Sequence, residues 1–181
     1  MRVIETKLND CFVIEPTIFK DDRGYFFESY NKEKFEELTG SMVNFVQDNE
    51  SFSTKGVLRG LHFQRGEHAQ AKLVRVTHGE VLDVAVDIRP DSSTFLQVVT
   101  ERLSAENKKQ LFVPRGFAHG FIVLSDTVVF NYKCDNFYNK ASEGGIIYND
   151  KTLNIDWLLD SKDFLVSEKD LVLPTVKDLF K

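Results

Sequence analysis

Short runs of alternating polar and apolar residues, separated by turn-forming residues, dominate this chain of 181 residues. The clearest runs cover residues 72–78, 80–88, 95–103 and 127–134. The turn signals between them are His78-Gly79, Arg89-Pro90-Asp91 and Ser125-Asp126. A period of two places successive side chains on opposite faces of a strand. Many short strands at regular spacing therefore predict a mainly β fold, an antiparallel β-barrel or sandwich of the jelly-roll type.

One early helix and a helical tail complete the predicted architecture. In the segment NKEKFEELTG, Asn31 is a candidate N-cap, Phe35 and Leu38 form an apolar pair, and Gly40 is a candidate stop. The tail from residue 152 mixes Trp157 and leucines with polar residues, which favours short helical turns packed over the barrel. Because no linker or repeat interrupts the chain, we predict a single domain covering residues 1–181.

Charge and cysteine content narrow the class of function. A net charge of −5 argues against a general nucleic-acid binder, which usually carries a basic balance or stripe. An anionic ligand would therefore have to be held by a few well-placed Arg and Lys side chains. Two cysteines, Cys11 and Cys134, give no disulfide framework and suit a reducing compartment. With no apparent signal peptide or membrane span, the chain is predicted to be cytoplasmic and free of membrane contact.

Two of the four histidines lie in segments that indicate a site. His62 lies in VLRGLHFQ and His119 lies in PRGFAHGF. In a regular strand Gly60, His62 and Gln64 would share one face, and a bulge at Gly60 would turn Arg59 towards that face too. A polar face inside a barrel favours a functional site. A hydrogen-bonded core histidine is the alternative, and VLRGLHFQ alone leaves both interpretations equally open.

The segment PRGFAHGF resembles the second signature of the cupin superfamily, with the spacing Pro-x-Gly-x-x-His. Metal-binding cupins add two histidines and a glutamate from a first signature. Here Gln64 stands where a second histidine would fall, and Lys72 stands where the glutamate would fall. Since an amide and an ammonium group make poor ligands for a divalent cation, we predict a cavity without a metal or any other cofactor.

Such a cavity would hold three groups suited to proton transfer. Tyr132 shares one face of the predicted strand with Val128 and Phe130, so an apolar face delivers one phenol to the interior. An imidazole can abstract a proton, a lysine can stabilise an oxyanion, and a phenol can return a proton. Taken alone, Tyr132 is more simply a core aromatic residue. Together, His62, Lys72 and Tyr132 indicate proton abstraction beside a carbonyl group, followed by reprotonation.

Five segments resemble the dTDP-4-dehydrorhamnose 3,5-epimerase family: DDRGYFFESYN, FVQDNESFSTKGVLRGLHFQ, KLVRVTHGEVLDVAVDIR, SAENKKQLFVPRGFAHGF and EGGIIYND. The resemblance covers nearly the whole chain, and it is specific because RGLHFQ and PRGFAHGF occur together at this separation. It implies a cupin-type jelly roll and a homodimer in which an N-terminal strand extends across the partner. It also implies inversion of carbons 3 and 5 of dTDP-4-dehydro-6-deoxy-D-glucose, giving dTDP-4-dehydro-L-rhamnose in dTDP-L-rhamnose biosynthesis.

The resemblance also implies roles for single residues. His62 matches the catalytic base, Asp170 the aspartate that orients it, Tyr132 the acid on the opposite ring face, and Lys72 the lysine near the ketone oxygen. Residues matching contacts to the nucleotide or other ligand atoms are Arg23, Glu28, Gln47, Asn49, Arg59, His119, Glu143 and Lys169. Tyr138 matches an aromatic residue that stacks on thymine, in a segment FYN where many members have two adjacent tyrosines.

Several alternatives remain open at this point. A relative of similar fold could invert one carbon only, or act as a 3,4-ketoisomerase on a related 4-keto sugar nucleotide. A non-catalytic cupin would bind the sugar nucleotide without converting it, and a metal-dependent cupin would be an oxygenase or isomerase. Asp83 and Asp87 share one strand face; one of them could be buried against Lys72 or His119, and structural or solvated aspartates are the simpler interpretation.

Overall fold

A computed structural model describes residues 1–180, and most of their regular structure is β-strand. The strands of this part of the chain are β1 (Arg2–Glu5), β2 (Phe12–Glu15), β3 (Phe19–Asp21), β4 (Gly24–Phe26), β5 (Gln47–Thr54), β6 (Val57–Gln64), β7 (Lys72–His78), β8 (Glu80–Asp87), β9 (Val98–Ser104), β10 (Gln110–Val113), β11 (Phe117–Val123), β12 (Thr127–Cys134), β13 (Glu143–Gly145) and β14 (Leu165–Val166). The α-helices are α1 (Lys32–Thr39), α2 (Glu168–Leu171) and α3 (Val176–Leu179), and single 3-10 turns cover Gly66–His68, Lys140–Ser142 and Ser161–Asp163.

The strands form two large sheets and one small hairpin. The first sheet has the order β1-β2-β10-β7-β12-β5, and the second has the order β13-β6-β11-β8-β9. Strand β14 pairs with β6 in parallel, whereas the pairs along both sheets are antiparallel. Strands β3 and β4 pair only with each other. The predicted mainly β, antiparallel fold is therefore confirmed, in the form of two sheets.

Side chains that alternate along the strands divide the core into layers. The main core cluster includes Val74, Val81 and Phe130, which come from strands of both sheets. The opposite faces of β6, β8 and β11 pack against the C-terminal segment, where Trp157 and Val176 are buried. The predicted short helical turns in the tail are confirmed, and they pack on the second sheet. No helix within residues 1–180 is long and apolar enough to cross a lipid bilayer.

Helix α1 begins and ends at the residues that the sequence predicts. The Asn31 side chain accepts a hydrogen bond from the Lys34 backbone N–H, which satisfies one of the free amides at the helix start. Gly40 has φ of 68°, and its N–H donates to the Glu36 carbonyl oxygen. The apolar side of the helix buries Phe35, whose ring packs edge-on against Phe112 of β10 at 5.0 Å.

The predicted strand over residues 95–103 begins later than its alternation suggests. Residues 95–97 instead complete a turn, since the Phe95 N–H donates to the Ser92 carbonyl oxygen and Leu96 has φ of 60°. Strand β9 starts at Val98. The Phe95 ring packs edge-on against Phe180 in the tail at 5.2 Å, so this apolar residue belongs to a tertiary contact and not to the strand.

Candidate active site

A cleft between the two sheets contains most of the predicted site residues. One part is a cavity of about 440 Å³, which is within the range of small-molecule sites. An adjoining cavity of about 350 Å³ shares His62, Lys72 and Tyr132 with it. The other predicted residues that line these cavities are Arg59, His119, Lys169 and Asp170 in the first, and Gln47, Asn49, Tyr138 and Glu143 in the second.

His62 is held by a buried carboxylate from the C-terminal segment. Its Nε2 lies 2.7 Å from an Asp170 oxygen, and the second Asp170 oxygen accepts the Gly60 backbone N–H at 3.2 Å. Burial by itself would raise the pKa of Asp170, but the hydrogen bond from His62 and the positive neighbours hold that pKa below its ordinary value. Because an ionised carboxylate only accepts hydrogen bonds, Nε2 carries the hydrogen, and in the neutral ring the lone pair is therefore on Nδ1.

Asp170 lies in the short helix α2. The sequence predicted helical turns in the tail but not the bounds of this helix. Ser167 caps α2, and its side chain accepts a hydrogen bond from the Asp170 backbone N–H. Strand β14 pairs with the start of β6 just before this cap, so the tail is fastened beside the strand that carries His62.

A close approach between the paired strands β6 and β11, at an irregularity in their register, brings Arg59 and His62 to the same cavity. Gly60 has φ of 117°, and a Cβ atom there would lie 2.6 Å from the Gly120 Cα atom. The register between these strands shifts between His119 and Phe121, which confirms the predicted irregularity at Gly60. The prediction of regular side-chain alternation along β6 therefore does not hold at Gly60.

His119 has its own carboxylate partner. Its Nε2 lies 2.9 and 3.1 Å from the two oxygens of Asp83, whose side chain is fully buried. The sequence offered Asp83 and Asp87 as candidates for burial against Lys72 or His119, and Asp83 is the one that contacts His119. Asp87 lies elsewhere and binds Arg89.

Lys72 and Tyr132 approach the cavity from neighbouring strands of the first sheet. The Lys72 Nζ atom lies 6.0 Å from the centroid of the Tyr132 ring. Burial lowers the pKa of Lys72, and no carboxylate within residues 1–180 forms an ion pair with it. Burial also raises the pKa of Tyr132, so that the phenol keeps its proton at neutral pH. The pair combines a buried lysine that has no ion-pair partner in this part of the chain with an available proton donor.

Charged and polar side chains surround the mouth of the cleft. Lys169 and Tyr138 both donate hydrogen bonds to Glu143, and burial, which alone would raise the pKa of Glu143, is outweighed by these donors. Arg59 donates to the Ser53 hydroxyl across the gap between the sheets. Within residues 1–180 Arg59 forms no ion pair, whereas Lys169 is paired with Glu143, so Arg59 is the unpaired cation at the rim.

Arg23 and Glu28 are not brought to the cleft within one chain. Arg23 lies in the β3–β4 hairpin and pairs with Asp21, and Glu28 pairs with Lys34 ahead of α1. Phe19 and Phe26 of the same hairpin are also well exposed. The ligand-binding role implied for Arg23 and Glu28 stays a prediction.

The cleft residues do not form a set of metal ligands. Among residues 1–180, no three His, Cys, Asp or Glu side chains are grouped so that they could hold a metal ion. Gln64, at the position of a cupin histidine, accepts a hydrogen bond from the Asn139 backbone N–H, and each cavity imidazole is engaged by an aspartate. The prediction of a metal-free, cofactor-free site remains a prediction.

Sequence reasoning gave no role to the two phenylalanines that line the first cavity. Phe121 and Phe130 stack at 4.2 Å with an interplanar angle of 18°. Their alternation in register with His119 and Tyr132 was visible in the sequence, but it equally describes ordinary core residues.

The sheets and cleft together define a cupin-like β protein with a histidine–aspartate pair, a lysine and a tyrosine in one cavity. The family model for dTDP-4-dehydrorhamnose 3,5-epimerase matches residues 5–178. The dTDP-4-dehydrorhamnose 3,5-epimerase of Escherichia coli K12 is 54% identical over 100% of this chain and 97% of its own. The chain belongs to the dTDP-4-dehydrorhamnose 3,5-epimerase family.

Solved structures agree with this assignment. The crystal structure of the Elizabethkingia anophelis dTDP-4-dehydrorhamnose 3,5-epimerase has a TM-score of 0.96 and 60% identity, covering 98% of this chain and 97% of that one. The epimerase of Legionella pneumophila in complex with dTDP-4-keto-L-rhamnose has a TM-score of 0.94 and 48% identity, covering 99% and 94%. The cupin-like fold and the family resemblance predicted from the sequence are confirmed.

Proposed function

We propose that this protein inverts carbons 3 and 5 of dTDP-4-dehydro-6-deoxy-D-glucose and so produces dTDP-4-dehydro-L-rhamnose for dTDP-L-rhamnose biosynthesis. One observation carries the proposal: His62 and Tyr132 line the same cavity but come from different sheets, β6 in the second and β12 in the first. Inversion needs removal of a proton from one ring face and delivery to the other, which requires groups on opposite walls.

His62 is the proposed base. Its Nδ1 lone pair removes the proton from the carbon beside the ketone, and Asp170 stabilises the imidazolium that forms. The electron pair of the broken C–H bond enters the ring as a carbon–carbon double bond, and the ketone oxygen becomes an enolate. The same step serves carbons 3 and 5, since both flank carbon 4.

Lys72 and His119 are the proposed stabilisers of the enolate oxygen. Burial alone disfavours the charged form of Lys72, but an enolate oxygen beside it favours that form, and a protonated lysine with no ion-pair partner stabilises the new negative charge more than a paired one would. Asp83 offsets positive charge on His119 when that ring donates to the oxygen. Tyr132 then delivers its phenolic proton to the opposite face, and solvent later reprotonates the phenolate and deprotonates His62. No atom is gained or lost overall.

The remaining predicted contacts suit a nucleoside diphosphate. Arg59 at the rim supplies local positive charge for phosphate oxygens, which an overall charge of −5 would otherwise repel, and Lys169 lies at the same rim in an ion pair with Glu143. Tyr138, half-exposed at the mouth, presents a ring for stacking on thymine. Gln47 and Asn49 supply amide groups beside it.

The proposed functional unit is a homodimer. The β3–β4 hairpin exposes Phe19, Tyr25 and Phe26 by 57–66%, which is costly for a free surface and is typical of an interface. A hairpin that reached across to the partner would bring Arg23 to the partner's cleft. Each cleft would then receive an arginine from the other subunit, because Arg23 does not reach the cleft of its own chain. The partner of the protein is then a second copy of this chain, in the cytoplasm.

The deciding experiment is conversion of the 4-keto sugar nucleotide in heavy water, followed by NMR. The native enzyme should introduce deuterium at both carbon 3 and carbon 5 and yield the L-configured product. His62→Asn should abolish exchange at both carbons while keeping a folded protein. Exchange at only one carbon in the native enzyme would instead favour a single-carbon epimerase, and exchange unchanged in His62→Asn would remove His62 as the base.

A further inference from the structure

The segment that joins β12 to β13, residues 135–142, carries Tyr138 but takes no part in the core. Phe137 and Tyr138 are 64% and 54% exposed, and none of the core clusters formed within residues 1–180 includes a residue of this segment. Because apolar burial does not fix the segment, its position depends on hydrogen bonds to the structure beside it. That structure is the end of β6 and the loop between β6 and β7.

Asn139 is the residue that ties this segment to β6 and to the β6–β7 loop. Its backbone N–H donates to the Gln64 side-chain oxygen at 2.9 Å, and its Nδ2 donates to His68 Nε2 at 3.0 Å. Its Oδ1 accepts the Ala141 backbone N–H at 2.9 Å, which caps the 3-10 turn that follows. Gln64 lies two residues after His62 on β6, so Asn139 fastens the segment to the strand that carries the proposed base.

These contacts define the protonation state of His68. Because the Asn139 Oδ1 atom accepts the Ala141 N–H, the amide nitrogen is the atom that faces the ring, and an amide nitrogen only donates. The His68 Nε2 atom is therefore the acceptor, and the ring is neutral. An imidazolium carries hydrogen on both nitrogens, so protonation would replace this hydrogen bond with a contact between two donors.

The charged side chains around His68 do not remove that conflict. Glu67 lies 3.7 Å from Nε2 but is 89% exposed, so water screens its attraction for a protonated ring. On the same loop Arg65 lies over an aromatic ring at 5.4 Å. Across the gap, Asp135 is already held in an ion pair, and Lys140 is exposed. In the part of the chain that the structure describes, a protonated His68 would therefore have no buried carboxylate partner.

We propose that His68 and Asn139 are positioning residues for Tyr138, and that protonation of His68 loosens the segment and weakens nucleotide binding. Tyr138 directly precedes Asn139, lines the second cavity and donates to Glu143 at 3.0 Å. Neither His68 nor Asn139 lines the two cavities, so both act through Tyr138. The inference rests on the proposed stacking of Tyr138 on thymine, and it adds a pH dependence that arises outside the proton-transfer residues.

The test measures the affinity of the full-length protein for dTDP by calorimetry, at about pH 8 and at about pH 5.5. His68→Gln keeps an oxygen that can accept the Asn139 amide hydrogen, but it does not titrate. The nucleotide and the cleft histidines titrate in both proteins, so their effects cancel in the ratio of the two affinities. We expect equal affinities at the higher pH. At the lower pH the native protein should bind roughly 3-fold to 10-fold more weakly than the variant, the size of one lost hydrogen bond.

Two further variants separate this contact from a general effect of histidine substitution. Asn139→Asp keeps the oxygen that accepts the Ala141 N–H and places a carboxylate beside His68, which favours the protonated ring. This variant should not lose affinity relative to His68→Gln at the lower pH. His78→Gln is the matched control, since His78 is an exposed residue of β7 that contacts the Thr127 hydroxyl at 3.0 Å. It should keep the native pH dependence.

Hydrogen exchange followed by mass spectrometry examines the segment without any nucleotide. Peptides covering residues 135–142 should exchange faster in the native protein than in His68→Gln at the lower pH, and equally at the higher pH. An affinity ratio that does not change with pH, or equal exchange at both pH values, would overturn the positioning role. If the sugar still takes up deuterium in heavy water, the proposed function would stand despite that result. A native protein that does not bind dTDP at all would contradict the proposed function as well.

Discussion

His62 and His119 both contact a carboxylate through Nε2, yet their surroundings differ. The His62 side chain keeps 30% of its exposure, and Asp170 also accepts a backbone N–H from Gly60. The His119 side chain is 8% exposed, and its partner Asp83 is fully buried. A base must meet both substrate and solvent, whereas a group that stabilises an oxyanion works best when shielded from water. The exposure of each ring therefore fits its proposed role.

Tyr132→Phe should separate proton exchange from inversion. The phenyl ring keeps the packing against Phe130, but no group remains to protonate the opposite face. We expect inversion to slow by about 100-fold to 10,000-fold, the usual contribution of a general acid, while His62 continues to exchange deuterium into the substrate. NMR of the sugar in heavy water measures both. Tyr148→Phe in the C-terminal cluster is the matched control and should leave both rates unchanged. Undiminished inversion in Tyr132→Phe would assign the acid to another residue.

Asp83→Asn should test the second histidine–aspartate pair. The amide keeps the volume and one acceptor, but it removes the negative charge that offsets a positive His119. We expect kcat to fall roughly 10-fold to 100-fold with little change in KM, because the loss concerns charge that develops in the transition state. Steady-state kinetics across pH would check this. A rise in KM at constant kcat would show that Asp83 serves ground-state binding instead.

At the scale of elements, the close approach of the paired strands β6 and β11 at Gly60 positions the site. Gly60→Ala would place a Cβ atom 2.7 Å from the His119 carbonyl oxygen, so the two strands would have to move apart. Gly66 also has a positive φ, of 59°, but a Cβ atom there meets nothing within 4 Å. We expect Gly60→Ala to lower both stability and activity, and Gly66→Ala to cost only about 1–2 kcal/mol of backbone strain with activity unchanged. Thermal melting and the epimerase assay compare the two variants. Equal losses of stability and activity in both would show that the close approach of β6 and β11 at Gly60 does not position the site.

The turn after β8 is held by a buried carboxylate remote from the cleft. Asp87 accepts hydrogen bonds from Arg89, Ser92 and Thr94. Burial alone would raise the pKa of Asp87, but these donors lower it to about 2. Its stabilising contribution is therefore complete above the ordinary Asp pKa of 3.8 and is lost as pH falls towards about 2.

Asp87→Asn should lower the free energy of unfolding by about 2–3 kcal/mol at neutral pH, the size that a pKa lowered from 3.8 to about 2 corresponds to; Arg89 then keeps only its exposed ion-pair partner Asp10. The difference from the native protein should shrink as the pH is lowered from 3.8 towards about 2, because the unfolded chain then carries a proton on Asp87 that the folded protein, with its lower pKa, does not. Urea unfolding at pH 7 and pH 3 measures both effects. Asp91→Asn, an exposed aspartate of the same turn, is the control and should change stability by less than about 0.5 kcal/mol. A difference independent of pH would contradict the electrostatic account.

At the scale of the whole molecule, the proposed dimer predicts that two inactive variants can complement each other. His62→Asn removes the base, and Arg23→Glu removes the cation proposed to cross to the partner. In a mixed dimer one cleft combines a native His62 with the partner's native Arg23, and the other cleft carries both defects. Mixing the two variants and allowing subunit exchange should therefore restore activity that neither shows alone. Absence of recovery, despite dimers seen by light scattering, would place Arg23 outside the partner's cleft.

The sequence by itself determined the strand-rich class, helix α1, the tail and the identity of most cleft residues. Alternation and capping are local properties, and Asn31, Gly40 and the strands β7 and β12 lie where local rules place them. Alternation alone did not decide whether residues such as His62 and Tyr132 belong to the core or to a functional site. Their roles came from the resemblance of segments such as RGLHFQ and PRGFAHGF to a known family.

Only the tertiary structure decided which groups meet. Asp170 lies 108 residues from His62 in the chain, and Asp83 lies 36 residues from His119, so neither pairing follows from a local pattern. The register shift at Gly60 and the position of Arg23 outside that cleft also depend on how separate strands pack. Local sequence fixes the backbone conformation of a segment, whereas a site is a set of long-range contacts that form only when the sheets come together.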